Sequence, residues 1–147
     1  MMSNLTIRVA HIPEELLEIE KIRRVVFQEE QGVEQDLDFD GLDEICDQLI
    51  AYLNGECVGT ARIRYLDEKT AKIERLAVLG MARGQGIGQK ITEKALEVIA
   101  SKNIPEVLIN AQEYVKGLYQ KLGFQQEGEV FEEAGILHVK MRKILIC

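Results

Sequence analysis

Arg83-Gly84-Gln85-Gly86-Ile87-Gly88 is the stretch of this 147-residue chain whose residue types and spacing point most directly to chemistry. Its three glycines stand at alternate positions after an apolar run ending at Val78 and across the start of a helical pattern that opens at Ile87. A strand–loop–helix passage of this kind presents unpaired backbone N–H groups at the positive end of a helix dipole. That is a cradle for an anion, and phosphate is its usual guest. Glycine lets the backbone come close where side chains would block it, and Arg83 adds a full charge for a phosphate oxygen. Spacing excludes two nucleotide loops. A Walker loop ends in Gly-Lys-Ser/Thr, whereas Gly88 is followed by Gln89-Lys90. The dinucleotide pattern G-x-G-x-x-G needs glycine at 89 or 91, where the chain has Gln89 and Ile91.

The elements that position this loop can be read from periodicity. Leu5 to Val9 alternates as a first strand. Pro13 suits the first turn of a helix, with Glu14 and Glu15 at its positive end. Leu16, Ile19, Ile22 and Val26 then recur at helical spacing, and Gly32 can stop the helix. Leu49–Leu53 and Cys57–Leu66 flank Asn54-Gly55, a two-residue hairpin signal, and Ala71–Val78 reads as a third strand of that group. Ile87, Ile91, Leu96 and Ile99 mark a helix, Val107–Ala111 a short strand, Tyr114–Leu122 a helix stopped by Gly123. Phe124–Val130 and Ile136–Met141 close the chain as strands. The order β-α-β-β-β-α-β-α-β-β predicts an α/β or α+β domain around one mixed sheet.

Composition bounds the rest. A hydrophobic content of 46% in 147 residues supplies the core of a single domain covering 1–147. The longest uncharged run, Gln48 to Gly55, is too short to span a membrane, and the first thirty residues hold no secretory h-region, so a soluble cytoplasmic protein is expected. Cys46, Cys57 and Cys147 form no CxxC and read as reduced thiols, with no metal site expected. Eighteen basic against 25 acidic residues give −7. Glu34, Asp36, Asp38, Asp40, Asp43, Glu44 and Asp47 lie in one stretch without Lys or Arg, and the remainder of the chain balances. A nucleic-acid partner is therefore disfavoured. The acidic stretch is either a wall for a cationic partner or a solvated loop that aids solubility.

At this point a resemblance becomes specific. Arg83-x-x-Gly86-x-Gly88 after Glu74-Arg75-Leu76-Ala77-Val78 resembles the pyrophosphate loop of the GNAT acyl-CoA N-acyltransferases, and Leu118–Phe124 resembles that superfamily's YxKxGF segment. Arg23 with Val26-Phe27, Glu30-Gln31-x-Val33, Ala111-Gln112 and Glu133-x-Gly135-Ile136-x-His138-x-x-Met141 are similar to the ElaA-like branch of small bacterial members. These matches run in order from residue 23 to 141. The resemblance implies a mixed central sheet whose parallel strands splay apart, flanked by helices, with acetyl-CoA or another acyl-CoA as co-substrate wedged between the strands. It implies binding by Arg83, Gly84, Gln85, Gly86, Ile87 and Gly88 at the pyrophosphate, and by Leu76, Ala77 and Val78 at the pantetheine. Gln112 stands where most members have Asn, a feature of the branch, and Tyr119 would lie near the thioester.

Acyl transfer to an amine requires a deprotonated nucleophile, a donor for the oxyanion and an acid for the departing thiolate. Tyr119 is the expected acid; packing in the core is the competing reading. Glu74 is the expected base, with an ion pair to Arg62 or Arg64, or a water chain, as competing readings. Arg23, Phe27, Asp38, Asp40 and His138 are expected on the acceptor side. His138 alternates against Leu137, Val139 and Met141 and stands as a substrate ligand, an alternative base or a structural histidine. The acceptor implied is a small-molecule or peptide amine, and the superfamily's habit of pairing admits a homodimer. Two rival functions remain compatible with these residues. One is a non-catalytic acyl-CoA-binding or sensor module. The other is an enzyme like the acyl-homoserine lactone synthases, suggested by Arg23, Phe27 and Asp36–Asp40, although those enzymes generally lack the glycine loop.

Overall fold

Asn54 and Gly55 both adopt positive φ, 52° and 83°, so the tight turn twists with its strands and joins β2 (Asp47–Leu53) to β3 (Glu56–Tyr65). This hairpin is the centre of the longer half of the sheet in the computed structural model, which describes residues 4–35 and 40–145. β1 (Leu5–Val9) pairs antiparallel with β2, and β4 (Thr70–Val78) pairs antiparallel with β3. β5 (Glu106–Gln112), β6 (Gln125–Glu133) and β7 (Ile136–Ile144) form the second half. The order across the seven-stranded sheet is β1-β2-β3-β4-β5-β7-β6, and among the described residues the β4–β5 pair alone is parallel. A mixed α/β fold with the expected element order is therefore present.

The helices differ from the sequence reading at their ends. α1 runs Leu16–Arg23; residues 12–15 form a turn ahead of it. Glu15 is held there, because its carboxylate accepts from Arg8 at 2.7 Å and from the His11 backbone N–H at 2.7 Å. Past Arg23 the coil widens into π-type turns over Arg24–Glu30 and ends at Gly32, whose φ is 71°. The expected helix from Tyr114 begins instead as a 3₁₀ turn, Glu113–Val115, followed by α3 (Lys116–Lys121).

α2 (Ile87–Ser101) buries Ile87, Ile91, Ala95 and Ile99 against one face of the sheet, together with Ile73, Ile109, Ala111, Tyr119, Phe124, Val139 and Met141. Each large side chain of this set contributes about 1.5–3 kcal/mol by leaving water. Gly59 permits the close approach: a Cβ there would stand 2.9 Å from Ile91 Cδ1 and 3.2 Å from the Ala77 carbonyl oxygen. α1 and the π-type turns after it cover the opposite face, with Ile19 on Ile50 and with Ile22 and Val26 on Ala77. Among the described residues, no helix is long and apolar enough to cross a membrane.

Candidate active site

β4 and β5 pair only from Thr70–Ile73 to Glu106–Ile109 and separate beyond that point. A bulge in β4 directs the divergence. Arg62 faces Glu74 and Thr60 faces Ala77, so β4 carries one extra residue, and Arg75 takes the left-handed φ of 56°. The extra residue reverses the alternation. Ile73 packs with α2 ahead of the bulge, Leu76 and Val78 pack there after it, and Ala77 meets α1. Gly59 faces Val78 while the Leu79 N–H donates to the Val58 carbonyl at 2.8 Å, which makes Gly59–Val78 a non-hydrogen-bonded pair. The N–H and C=O of Val78 consequently turn away from β3 and into the gap. A cleft of about 860 Å³ fills that gap.

The glycine loop closes one end. Gly84 and Gly86 have φ of 80° and 77°, and Gly86 caps α2. An added Cβ at either meets nothing within 4 Å, so conformation, not crowding, asks for glycine there. Arg83, Gly84, Gly86, Ile87 and Gly88 line the cleft; Gln85, exposed, is not among its lining residues. The Arg83 side chain is folded back. Its Nε donates to the Val78 carbonyl at 2.9 Å, and its Nη2 meets Glu30 at 2.5 Å.

Tyr119 is 4% exposed, packs edge-to-face on Phe124 at 6.0 Å and lines the cleft from the α2 side. Burial pushes its phenol well above the ordinary value, so the proton is retained. Gln112, at the end of β5, donates to Gln31 Oε1 at 3.0 Å and so ties the divergent strand to the chain that follows α1.

Side chains of the α1 face make the other wall. Glu74 lies beside Arg62 (2.9 Å), Arg64 (3.2 Å) and Lys72 (3.3 Å), the ion-pair arrangement that competed with the catalytic reading, and it also lines the cleft. Burial works to raise its pKa, but the charges of Arg62 and Lys72 and the Arg62 hydrogen bond outweigh burial and hold the carboxylate below the usual range. Phe27 lines the cleft beside Ala77. His138 lines it too. Its Nδ1 lies 2.7 Å from the Ile136 carbonyl, its ring stacks on Phe131 at 5.8 Å, and its Nε2 is 3.9 Å from Glu133.

Arg23 and Asp40 are not cleft-lining residues. Arg23 is fully buried and donates to Asp43 at 2.6 Å. Asp40 accepts two hydrogen bonds from Arg62, both 2.8 Å, and one from Arg75 at 3.3 Å. The Arg62 hydrogen bonds hold its carboxyl far below the usual carboxylate range. Asp43 also accepts from Arg62 at 3.2 Å, and Asp47 pairs with Lys102 at 2.8 Å. Three acids of the acidic stretch thus serve as counter-ions to the chain's own cations. Asp38 and Asp36 lie outside the described residues, as does Cys147. Cys46 and Cys57 are free thiols, and burial pushes Cys57 up to about 11. No group of three metal-ligating side chains occurs among the described residues.

Residues 20–145 match the model of the acetyltransferase (GNAT) domain. The chain belongs to the GNAT acetyltransferase family. It is similar to YyaT of Bacillus subtilis, 39% identical over 132 residues that cover 88% of each chain. It is similar also to ElaA of Escherichia coli, 34% identical over 131 residues, or 86% of this chain and 85% of that one. The crystal structure of ElaA superposes with a TM-score of 0.82 at 28% identity, covering 97% of this chain and 99% of that chain. An acyl-CoA N-acyltransferase from Pseudomonas aeruginosa gives the same TM-score, identity and coverage. Both place the splayed sheet within this family's fold.

Glu30, Gln31, Tyr114 and Glu133 are among the cleft residues that received no role from sequence reasoning. Glu30-Gln31 and Glu133 stood inside quoted motifs, so a signal existed. Tyr114 had none beyond being an aromatic residue, 75% exposed at the cleft.

Proposed function

We propose that this GNAT member is an acyl-CoA-dependent N-acyltransferase that passes an acetyl group directly to a primary amine in a ternary complex. The observation that carries this reading is the end of β4 that β5 no longer pairs with, where Val78 turns its backbone N–H and C=O into the 860 Å³ cleft beside the glycine loop. Pantetheine amides would add to Leu76–Val78 as an extra strand does. The pyrophosphate would take the backbone N–H groups of residues 84–88, with Arg83 leaving Val78 and Glu30 to reach it. Gln112 would border the pantetheine where β5 diverges.

Chemistry would take place at the gap itself. A backbone N–H of the bulged strand stabilises the oxyanion. Tyr119, kept protonated by burial, gives its proton to the departing thiolate. Glu74 presents a negative charge that draws the ammonium group of the acceptor to the opposite wall. Phe27 supplies an apolar side to the acceptor pocket. Arg23 and Asp40 act at one remove, by holding the Arg62–Asp43–Glu74 group in place, and Asp38 keeps its expected acceptor role. A cytoplasmic protein with a small-molecule or peptide amine as acceptor completes this reading.

Calorimetry with acetyl-CoA, followed by thiol release across an amine panel, tests the proposal. Micromolar binding that is lost in Gly86→Val with the fold intact, together with turnover of an amine, is the expected result. Unchanged binding in Gly86→Val would sink the site. Binding without turnover of any amine would favour the sensor-module reading instead.

A further inference from the structure

We infer that His138 is the nitrogen base that takes the proton of the acceptor's ammonium group, a deepening that rests on the N-acyltransferase reading above. Its Nδ1 lies 2.7 Å from the carbonyl oxygen of Ile136. A carbonyl can only accept, so Nδ1 carries the hydrogen and Nε2 is left with a lone pair. The ring cannot easily turn this assignment over. It is 8% exposed and stacked on Phe131, with interplanar angle 24°. Nε2, the free nitrogen, lies on the side of Glu133, and both residues line the cleft.

Position on the sheet supports the role. His138 alternates with Val139 and Met141, which pack with α2, so it projects to the α1 side, as Glu74 does opposite Ile73. Tyr119 and the glycine loop belong to the α2 side. The thioester would therefore stand between an acid on one face and His138 on the other, and the two would not exchange a proton directly. Glu74 shares the α1 side, but three cations within 3.3 Å lower its affinity for a proton. His138 carries no such cation among its described partners, and the Glu133 carboxylate at 3.9 Å stands where it stabilises the imidazolium that transfer creates.

The step balances. Ammonium gives one proton to Nε2, and the freed lone pair forms the C–N bond at the thioester carbonyl. The C–S bond then breaks as Tyr119 protonates sulfur, so CoA leaves as the thiol. The second nitrogen proton passes through solvent and restores the phenol. Imidazolium returns its proton to water beside Glu133, whose side chain is 56% exposed.

Two amines of equal size, ethylamine and 2,2,2-trifluoroethylamine, separate the base from a structural role, because the fluorines leave the second amine largely unprotonated near neutral pH. His138→Gln should keep acetyl-CoA affinity and lose about 10²-fold or more in turnover of ethylamine, the scale of a general base. Its turnover of trifluoroethylamine should fall by less than about threefold, since that nucleophile needs no base. Equal loss on both amines, or loss on neither, overturns the inference. So does a long-range ¹H–¹⁵N spectrum of the wild type that shows His138 as the Nε2–H tautomer; with two histidines in the chain, the variant assigns the signal. Wild-type protein that binds acetyl-CoA yet acylates no amine overturns the N-acyltransferase reading itself, a distinct result.

Discussion

The two walls of the cleft are made of different material. The α2 side presents backbone: a bulged strand end, three glycines and a helix N-terminus, all within residues 74–88. The α1 side presents side chains gathered from distant places, with Arg62 meeting Asp40, Asp43 and Glu74 across 22, 19 and 12 residues of chain. A wall of backbone suits a ligand that every family member shares. A wall of side chains can be altered residue by residue, as a variable acceptor requires. Perturbing each wall in turn should accordingly separate co-substrate affinity from acceptor chemistry and from stability.

The largest effect is expected on the side-chain wall. Asp43→Ala removes a counter-ion from both Arg23 and Arg62, each fully buried. Breaking such a group costs about 3–5 kcal/mol, read as a lower denaturant midpoint. Protein that stays folded should bind acetyl-CoA normally. A parallel loss of CoA affinity would break the separation of the walls.

Tyr119→Phe should come next. The expected fall in kcat is about 10²-fold or more with little change in acetyl-CoA affinity, measured by thiol release and calorimetry. An equal loss in binding would assign Tyr119 to packing with Phe124 alone.

The Arg83–Glu30 contact couples the two walls, because it joins the loop to the segment after α1. Arg83→Ala should weaken acetyl-CoA binding, but by less than the full charge-assisted contact of about 1.5–3 kcal/mol, since the guanidinium must first leave Val78 and Glu30. Glu30→Gln should tighten binding by a few-fold, while Glu97→Gln on the exposed side of α2 should leave it unaltered.

The smallest effect lies away from both walls. Hydrogen bonding to Arg8 lowers Glu15 from 4.5 to about 2. A depressed carboxylate contributes stability that is complete above its unfolded value and is lost as pH falls through the folded one. Stability should decline between roughly pH 4.5 and 2, and Arg8→Ala should flatten that decline in acid titrations.

This contrast also governs what the sequence makes legible. Alternation marks Leu5–Val9, short apolar runs mark Leu49–Leu53 and Val107–Ala111, and Asn54-Gly55 marks its hairpin, because these signals are local. The glycine loop is legible for the same reason. The bulge at Arg75 is not, since a non-glycine residue with positive φ leaves no trace in composition. The acidic stretch reads as a wall for a cation, yet Asp40, Asp43 and Asp47 face the chain's own Arg62, Arg23 and Lys102, which only the tertiary structure brings near. Glu74 and Arg62 are legible as a pair because they are cross-strand neighbours. The bare nitrogen of His138 depends on a carbonyl two residues away whose direction the sequence does not record.

A crystal structure with acetyl-CoA bound decides whether the divergence of β4 and β5 holds the co-substrate. Pantetheine paired to the backbone of Leu76 and Val78, pyrophosphate on the N–H groups of residues 84–88, and Arg83 withdrawn from the Val78 carbonyl are the predicted result. Acetyl-CoA seated elsewhere, with Arg83 still on Val78 and the splay empty, would contradict it.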